Sequence, residues 1–417
     1  MALTIPRDSG PDSTLALLRE GYAFIPNRCR RYGTDVFETR LMLKRAICAT
    51  GEEAAKVFYE PGRFTRRGAM PPTTVRLLQD IGSVQLLDGE AHRRRKGMFM
   101  SLMGPQSIAN LSERMAAQWL DRLGRWETEG TVVLHDEVEE ILCRAACEWA
   151  GVPLSEPEAR RRTREMEAMI EGAGSAGPRM WRGLLLRART ERWLRKIVER
   201  VRSGEIAVPE GRPAHAVAFH RDTGGRLLDS KTAAVELLNL LRPTVAVARY
   251  VTFAAQALHE HPGTRERLRD ENGYLDLFVQ EVRRYYPFFP FVGGRAREEF
   301  EWRGKQFEKG TWVILDLYGT NHDPRIWQAP KEFRPERFRQ WNGSAFDFIP
   351  QGGGDHYTGH RCAGEWITID LMKRAVRLLT GVMTYEVPAD QDLRIRLSGM
   401  PALPVSRFVI SNVQRTG

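Results

Sequence analysis

The chain has 417 residues, 42% of them hydrophobic, so it holds enough apolar material for a large buried core. Its 63 Lys and Arg outnumber 53 Asp and Glu, giving a formal net charge of +10, yet no window approaches the roughly 18 to 20 uncharged apolar residues of a membrane span. The N-terminal M-A-L-T-I-P-R-D-S-G lacks a signal peptide's apolar core, and five cysteines are too few for a disulfide framework, so a reducing, cytoplasmic setting is expected.

Apolar periodicity predicts helices over about 11–20, 72–80, 91–101, 105–123, 134–150, 155–172, 180–203, 230–260, 262–285 and 365–382. The Gly- and Pro-containing stretches at 171–178 and 208–213 are short and lie between helical patterns, so they read as loops inside one domain spanning 1–417. The arginines of R-R-R-T-R from 160 and of L-L-L-R-A-R-T-E-R-W-L-R-K at 184–196 recur at helical spacing, which predicts solvated helix faces. No nucleic-acid motif accompanies them. Cys143 and Cys147 are four residues apart on an apolar helix with no second ligand pair nearby, which predicts core packing instead of a metal site.

Strand signals come late. E-F-E-W-R-G-K-Q-F surrounds a glycine turn at 303–304, T-W-V-I-L-D-L-Y at 311–318 is β-rich, and R-I-R-L and R-F-V-I-S-N alternate near the C-terminus. The fold class is therefore mainly α with small β-sheets.

Two stretches carry chemistry. L-L-N-L-L-R-P-T-V-A-V-A at 237–248 would make a buried helix except for Arg242 and Pro243 at its middle. Burying an unpaired guanidinium costs several kcal/mol, and a mid-helix proline costs roughly 3 kcal/mol. Either a distant Asp or Glu pairs with Arg242, or a ligand does. The second stretch is F-I-P-Q-G-G-G-D-H-Y-T-G-H-R-C-A-G-E at 348–365, where Cys362 follows a glycine-rich loop and immediately precedes a helix. Amides at that helix start would point at the sulfur and favour a thiolate, the glycines would let the backbone approach something flat and large, and a thiolate so held suits haem iron.

With E-V-R-R at 281–284, F-R-P-E-R-F at 333–338 and A-H-R-R-R-K at 91–96 in the same order, the chain resembles the cytochrome P450 superfamily over nearly its whole length. The resemblance implies that family's helical, triangular-prism haem-thiolate fold, with haem b as cofactor and Cys362 as the iron ligand. Glu281, Arg284 and Arg337 would clamp the region beneath the haem, and His92, Lys96, His360 and Arg66 would meet its propionates.

Oxygen-activating members usually carry an acid followed by threonine in the long distal helix, where this chain has Arg242-Pro243, and its cysteine loop is longer than usual. Both departures resemble the bacterial fatty-acid peroxygenase branch. That resemblance implies hydrogen peroxide as oxidant, a long-chain fatty acid as substrate, and no redox partner protein. Arg242 would hold the substrate carboxylate, which then serves as the missing acid–base group, and oxidation would fall at Cα, with Cβ second. Pro243 would open space for peroxide and fix Arg242's direction. Gln85 stands where the branch's hydroxylases carry glutamine and its decarboxylases histidine, while Gln79 replaces a phenylalanine of several relatives. Phe289 and Val292 of F-F-P-F-V, with Ile170 opposite, would line the channel. The rival readings are a reductase-dependent monooxygenase, a decarboxylase forming terminal alkenes, and a haem carrier or sensor without catalysis.

Overall fold

In the computed structural model, residues 5–416 are described. In chain order, α1 (Thr14–Glu20) and α2 (Phe24–Tyr32) precede a hairpin of β1 (Val36–Leu41) and β2 (Lys44–Ala49). Next come α3 (Glu52–Phe58), β3 (Phe64–Thr65), α4 (Pro72–Leu78), α5 (Gly89–Ser101), α6 (Pro105–Trp126), β4 (Thr131–Val133) and α7 (Leu134–Ala150). A helical run follows: α8 (Glu156–Gly172), α9 (Pro178–Arg202), α10 (Pro213–Phe219), α11 (Ser230–Ala246), α12 (Ala248–Glu260), α13 (Gly263–Asp270) and α14 (Tyr274–Tyr285). The chain closes with β5 (Phe291–Ala296), β6 (Phe300–Trp302), β7 (Lys305–Phe307), β8 (Trp312–Asp316), α15 (Leu317–Asn321), α16 (Glu365–Gly381), β9 (Met383–Glu386) and β10 (Val409–Arg415).

The principal core lies where α6, α7, α11, α12, α14 and α16 turn their apolar stripes inward. Trp119 and Trp126, two turns apart on α6, meet edge to face at 5.3 Å in its interior. Cys143 and Cys147 are buried there on α7, as their apolar helix predicts. A five-stranded sheet, ordered β1-β2-β8-β5-β3, forms the second layer, with β2 and β8 parallel and the other pairs antiparallel. Smaller sheets join β4, β10 and β9, and pair β6 with β7 about the anticipated turn at Arg303 and Gly304. Among the described residues no helix is long and apolar enough to cross a membrane.

Several expectations need correction. The helix foreseen over 230–260 is two helices, but the division falls at Val247 and not at Pro243, which lies inside α11. Asp229 caps the start of α11, accepting from the Lys231 and Thr232 amides, and past the proline the Thr244 hydroxyl donates to the Leu240 carbonyl at 2.8 Å. The segment 262–285 is likewise split, because Gly273 at φ 82° starts α14 afresh in a conformation only glycine adopts readily. Leu317 and Tyr318 leave the β-rich run for α15, since the Asp316 carboxylate accepts from the Gly319 amide at 2.7 Å and caps a helix there. R-I-R-L forms no strand, only an isolated bridge between Ile395 and Pro404.

Candidate active site

α16 places Cys362 just before its first turn. The cysteine is half-buried, its amide donates to the Gln351 carbonyl at 3.2 Å, and its Sγ accepts from Gln351 Nε2 at 3.7 Å. Burial pushes the thiol's pKa up and Glu365 adds to that, while Lys96, the Gly364 amide and Arg283 pull it down. Glu365 opens α16 and is buried. Burial raises its pKa, but Arg283 and Arg361 overcome this and hold it at about 2. The preceding glycines are also constrained by the protein itself. A Cβ on Gly353 would lie 2.6 Å from the Ala345 carbonyl oxygen and 2.7 Å from Ile349 Cγ2, and one on Gly354 would lie 3.0 Å from Tyr59 Cβ. Glycine is thus needed for the loop to pack on its own protein.

Beside the cysteine, four basic side chains from distant parts of the sequence converge. The rings of His92 and His360 lie 4.1 Å apart, and Arg66 and Lys96 are the neighbouring charges that both imidazoles feel. Arg66 donates to the Gly293 carbonyl at 2.8 Å and Lys96 to that of Arg361. Among the described residues none of the four is paired with a carboxylate. Burial lowers the pKa of each, His92 to about 4 and His360 to about 2. The two imidazoles are therefore neutral, but Arg66 and Lys96 are cations drawn out of bulk water without a counter-ion, which is costly, so the site is complementary to an anionic group. Haem b fits this set: Cys362 would ligate its iron and Arg66, His92, Lys96 and His360 would meet its carboxylates.

Beneath the cysteine, Glu281 and Arg284 on α14 form a buried bidentate pair at 2.7 and 2.8 Å. The same carboxylate accepts from Arg337 Nε at 3.2 Å and from the Arg334 amide at 2.7 Å. Arg284 also reaches the Asn321 and Pro330 carbonyls at 3.0 Å, so the anticipated three-residue clamp exists and is tied to two further segments.

Arg242, in the middle of α11, is buried and donates from Nη1 to the Leu77 carbonyl at 2.7 Å and from Nη2 to that of Leu78, both at the end of α4. Among the described residues no carboxylate lies within 4 Å of it, so the internal ion-pair alternative fails. Arg187 on α9 donates to the same Leu77 carbonyl at 3.0 Å, but it has Glu191 at 2.6 Å for a counter-ion. Burial, and secondarily Arg187, press the Arg242 pKa down to about 9.

Gln85 is half-buried in a short turn, and its Oε1 accepts from Asn239 Nδ2 at 3.3 Å. Asn239 also donates to Glu236 at 3.1 Å, and Glu236 is paired with Arg95, so a polar chain across α5 and α11 fixes which end of Gln85 faces away. Sequence reasoning missed this chain and the Gln351 side chain, since only the spacing Glu236-x-x-Asn239 hinted at a shared helix face. Ile170 is buried on α8, which packs on α4 and α9. Val292 is half-buried on β5 opposite Leu315, whereas Phe289 is 42% exposed, set edge-on to Phe288 at 5.0 Å. Phe288 stacks on Tyr250 at 4.3 Å.

A cysteine at a helix start, a carboxylate-seeking basic cluster beside it and an acidic–basic clamp beneath together define a haem-thiolate protein. The Cytochrome P450 family profile matches residues 254–381. The structure of cytochrome P450SP alpha (CYP152B1) in complex with (R)-ibuprophen is 50% identical, covering 98% of this chain and 100% of that one at a TM-score of 0.96. Cytochrome P450EX alpha (CYP152N1) with myristic acid is 43% identical, covering 99% and 100% at 0.96. A cytochrome P450 OleT variant with arachidonic acid is 38% identical, covering 99% of both at 0.96. The chain belongs to the cytochrome P450 family. Among curated relatives, rhazimal synthase of Alstonia scholaris is 36% identical over 149 residues, 30% of this chain and 29% of its own, and cytochrome P450 3A1 of Rattus norvegicus is 23% identical over 221 residues, 48% and 43%. The matched stretches span less than half the length of these curated relatives.

Proposed function

We propose that the protein is a peroxygenase that uses hydrogen peroxide to hydroxylate long-chain fatty acids at Cα, with Cβ as the second position, in the cytoplasm and without a redox partner protein. The observation that carries this reading is Arg242: a buried guanidinium with two backbone acceptors, no carboxylate, and a proline beside it where an acid and threonine usually stand. A fatty-acid carboxylate supplies the anion that the site lacks. Solved relatives bound to myristic acid and arachidonic acid support a carboxylic acid as the guest.

Haem, when bound through Cys362, supplies the redox chemistry that splits the peroxide O–O bond. Arg242 orients the substrate carboxylate by a bidentate, charge-assisted pair. That carboxylate takes a proton from hydrogen peroxide and returns it to the departing oxygen, the work a side-chain acid–base group performs elsewhere. Held by its head, the chain presents Cα and Cβ for oxidation. Pro243, which has no N–H to donate, leaves the Asn239 carbonyl without its helical partner and makes room for peroxide beside Arg242. The Asn239 bond to Gln85 fixes that amide near the first carbons, and the lining assigned to Phe289, Val292 and Ile170 accommodates the apolar tail.

One incubation tests the proposal. Palmitate with hydrogen peroxide should yield 2-hydroxypalmitate, with 3-hydroxypalmitate as the minor product, identified by mass. A substrate without a carboxyl group should turn over only when a short carboxylic acid is added. Turnover that requires NADPH and a reductase, or a terminal alkene as the main product, would overturn the reading.

A further inference from the structure

We infer that Gln351 is a positioning residue for the thiolate: its side-chain amide donates a hydrogen bond to Cys362 Sγ, in an orientation imposed by Arg283, and so limits the charge the sulfur gives to iron. This rests on Cys362 as the haem ligand.

The two ends of a glutamine amide are distinguished by their partners. Here Arg283, which has only donors, gives Nη2–H to Gln351 Oε1 at 3.1 Å. The NH₂ end is therefore the end that lies 3.7 Å from Sγ and 3.1 Å from Thr368 Oγ1. Thr368 gives its own proton to the Gly364 carbonyl at 3.0 Å, so toward Gln351 it accepts. Arg283 cannot turn away: it is buried, paired with Glu365, bonded to Gln280 at 2.5 Å and set over the Phe348 ring at 5.2 Å. Gln351 is also tied to the cysteine through the main chain, its carbonyl accepting from the Cys362 amide at 3.2 Å. One residue thus holds both the backbone and the sulfur of Cys362. A donor to a metal-bound sulfur draws charge away from it, and hydrogen bonds to the ligand set are a recognised lever on redox potential.

The test uses holoenzyme. Gln351→Leu removes the donor at similar size. The expected result is retained haem, a reduced carbon-monoxide complex absorbing at longer wavelength, and an equilibrium constant for one-electron reduction lowered about tenfold, or about 59 mV. Gln351→Glu keeps the Arg283 bond, replaces the donor by an acceptor, and should move both readings the same way. Thr368→Val removes the competing acceptor and should move neither in that direction. Should the Gln351 variants fail to fold, the iron–sulfur stretching frequency of the wild-type holoenzyme, compared in light and heavy water, should still show an isotope shift. Wild-type spectrum and potential in haem-bearing Gln351 variants, or a stretch without isotope shift, would overturn the inference. A wild-type carbon-monoxide complex without the thiolate band would instead overturn the ligand assignment on which it rests.

Discussion

Replacing Arg242 by alanine separates the proposed carboxylate anchor from a merely structural arginine. In the empty protein the substitution deletes two hydrogen bonds from a charged donor, those to the Leu77 and Leu78 carbonyls. Each is worth about 1.5–3 kcal/mol. It also removes a buried cation that has no counter-ion, whose desolvation penalty is several kcal/mol of the opposite sign. The two nearly offset, so the unliganded fold should change by no more than about 2 kcal/mol, a shift of a few degrees in Tm. With a fatty acid bound, the lost partner is one half of a buried charge pair, and truncation there costs about 2–5 kcal/mol. Affinity should fall about 30- to 5,000-fold. Calorimetric titration with myristate, thermal melts with and without it, and peroxide-driven turnover measure each quantity. If the alanine variant bound myristate within about threefold of wild type and oxidised the same carbon at the same rate, the anchoring role would be wrong.

Other outcomes follow from the same geometry. Arg242 keeps its charge at neutral pH despite the downward pressure of burial on its pKa, so fatty-acid affinity should be flat across pH 7–8; a decline over that range in titrations with myristate would show that a different group anchors the carboxylate. Glu281→Gln strips Arg284 and Arg337 of their carboxylate and should cost about 3–5 kcal/mol in denaturant unfolding together with weaker haem retention; an unchanged midpoint would show that the clamp is dispensable. Gly353→Ala forces a Cβ to within 2.6 Å of the Ala345 oxygen and should destabilise by about 1–3 kcal/mol, readable as a lowered Tm.

The sequence was most legible where one element carries its own signal. The hairpin about Gly304 and the long helices α6 to α9 and α16 announce themselves by turn chemistry and by apolar spacing. The clamp was legible because Glu281 and Arg284 are one turn apart and Arg337 sits in its own motif. What escaped were features decided by tertiary partners. α15 begins inside a β-rich run because Asp316 caps it, and α11 passes through Pro243 because the surrounding helices hold it. The roles of Gln351 and Asn239 depend on Arg283 and Glu236 being brought to them, and the glycines of 352–354 are set by Tyr59 and Ala345. No local pattern records such meetings.

Arg242 is gripped from behind by consecutive carbonyls of α4, which gives a fixed origin from which a guest is measured. Lengthening a fatty acid adds methylenes only at the far end of that scale, leaving unaltered which carbons lie one and two steps from the origin. Tail length should therefore govern how tightly and how fast acids are used, while the position of the new hydroxyl stays the same across a homologous series.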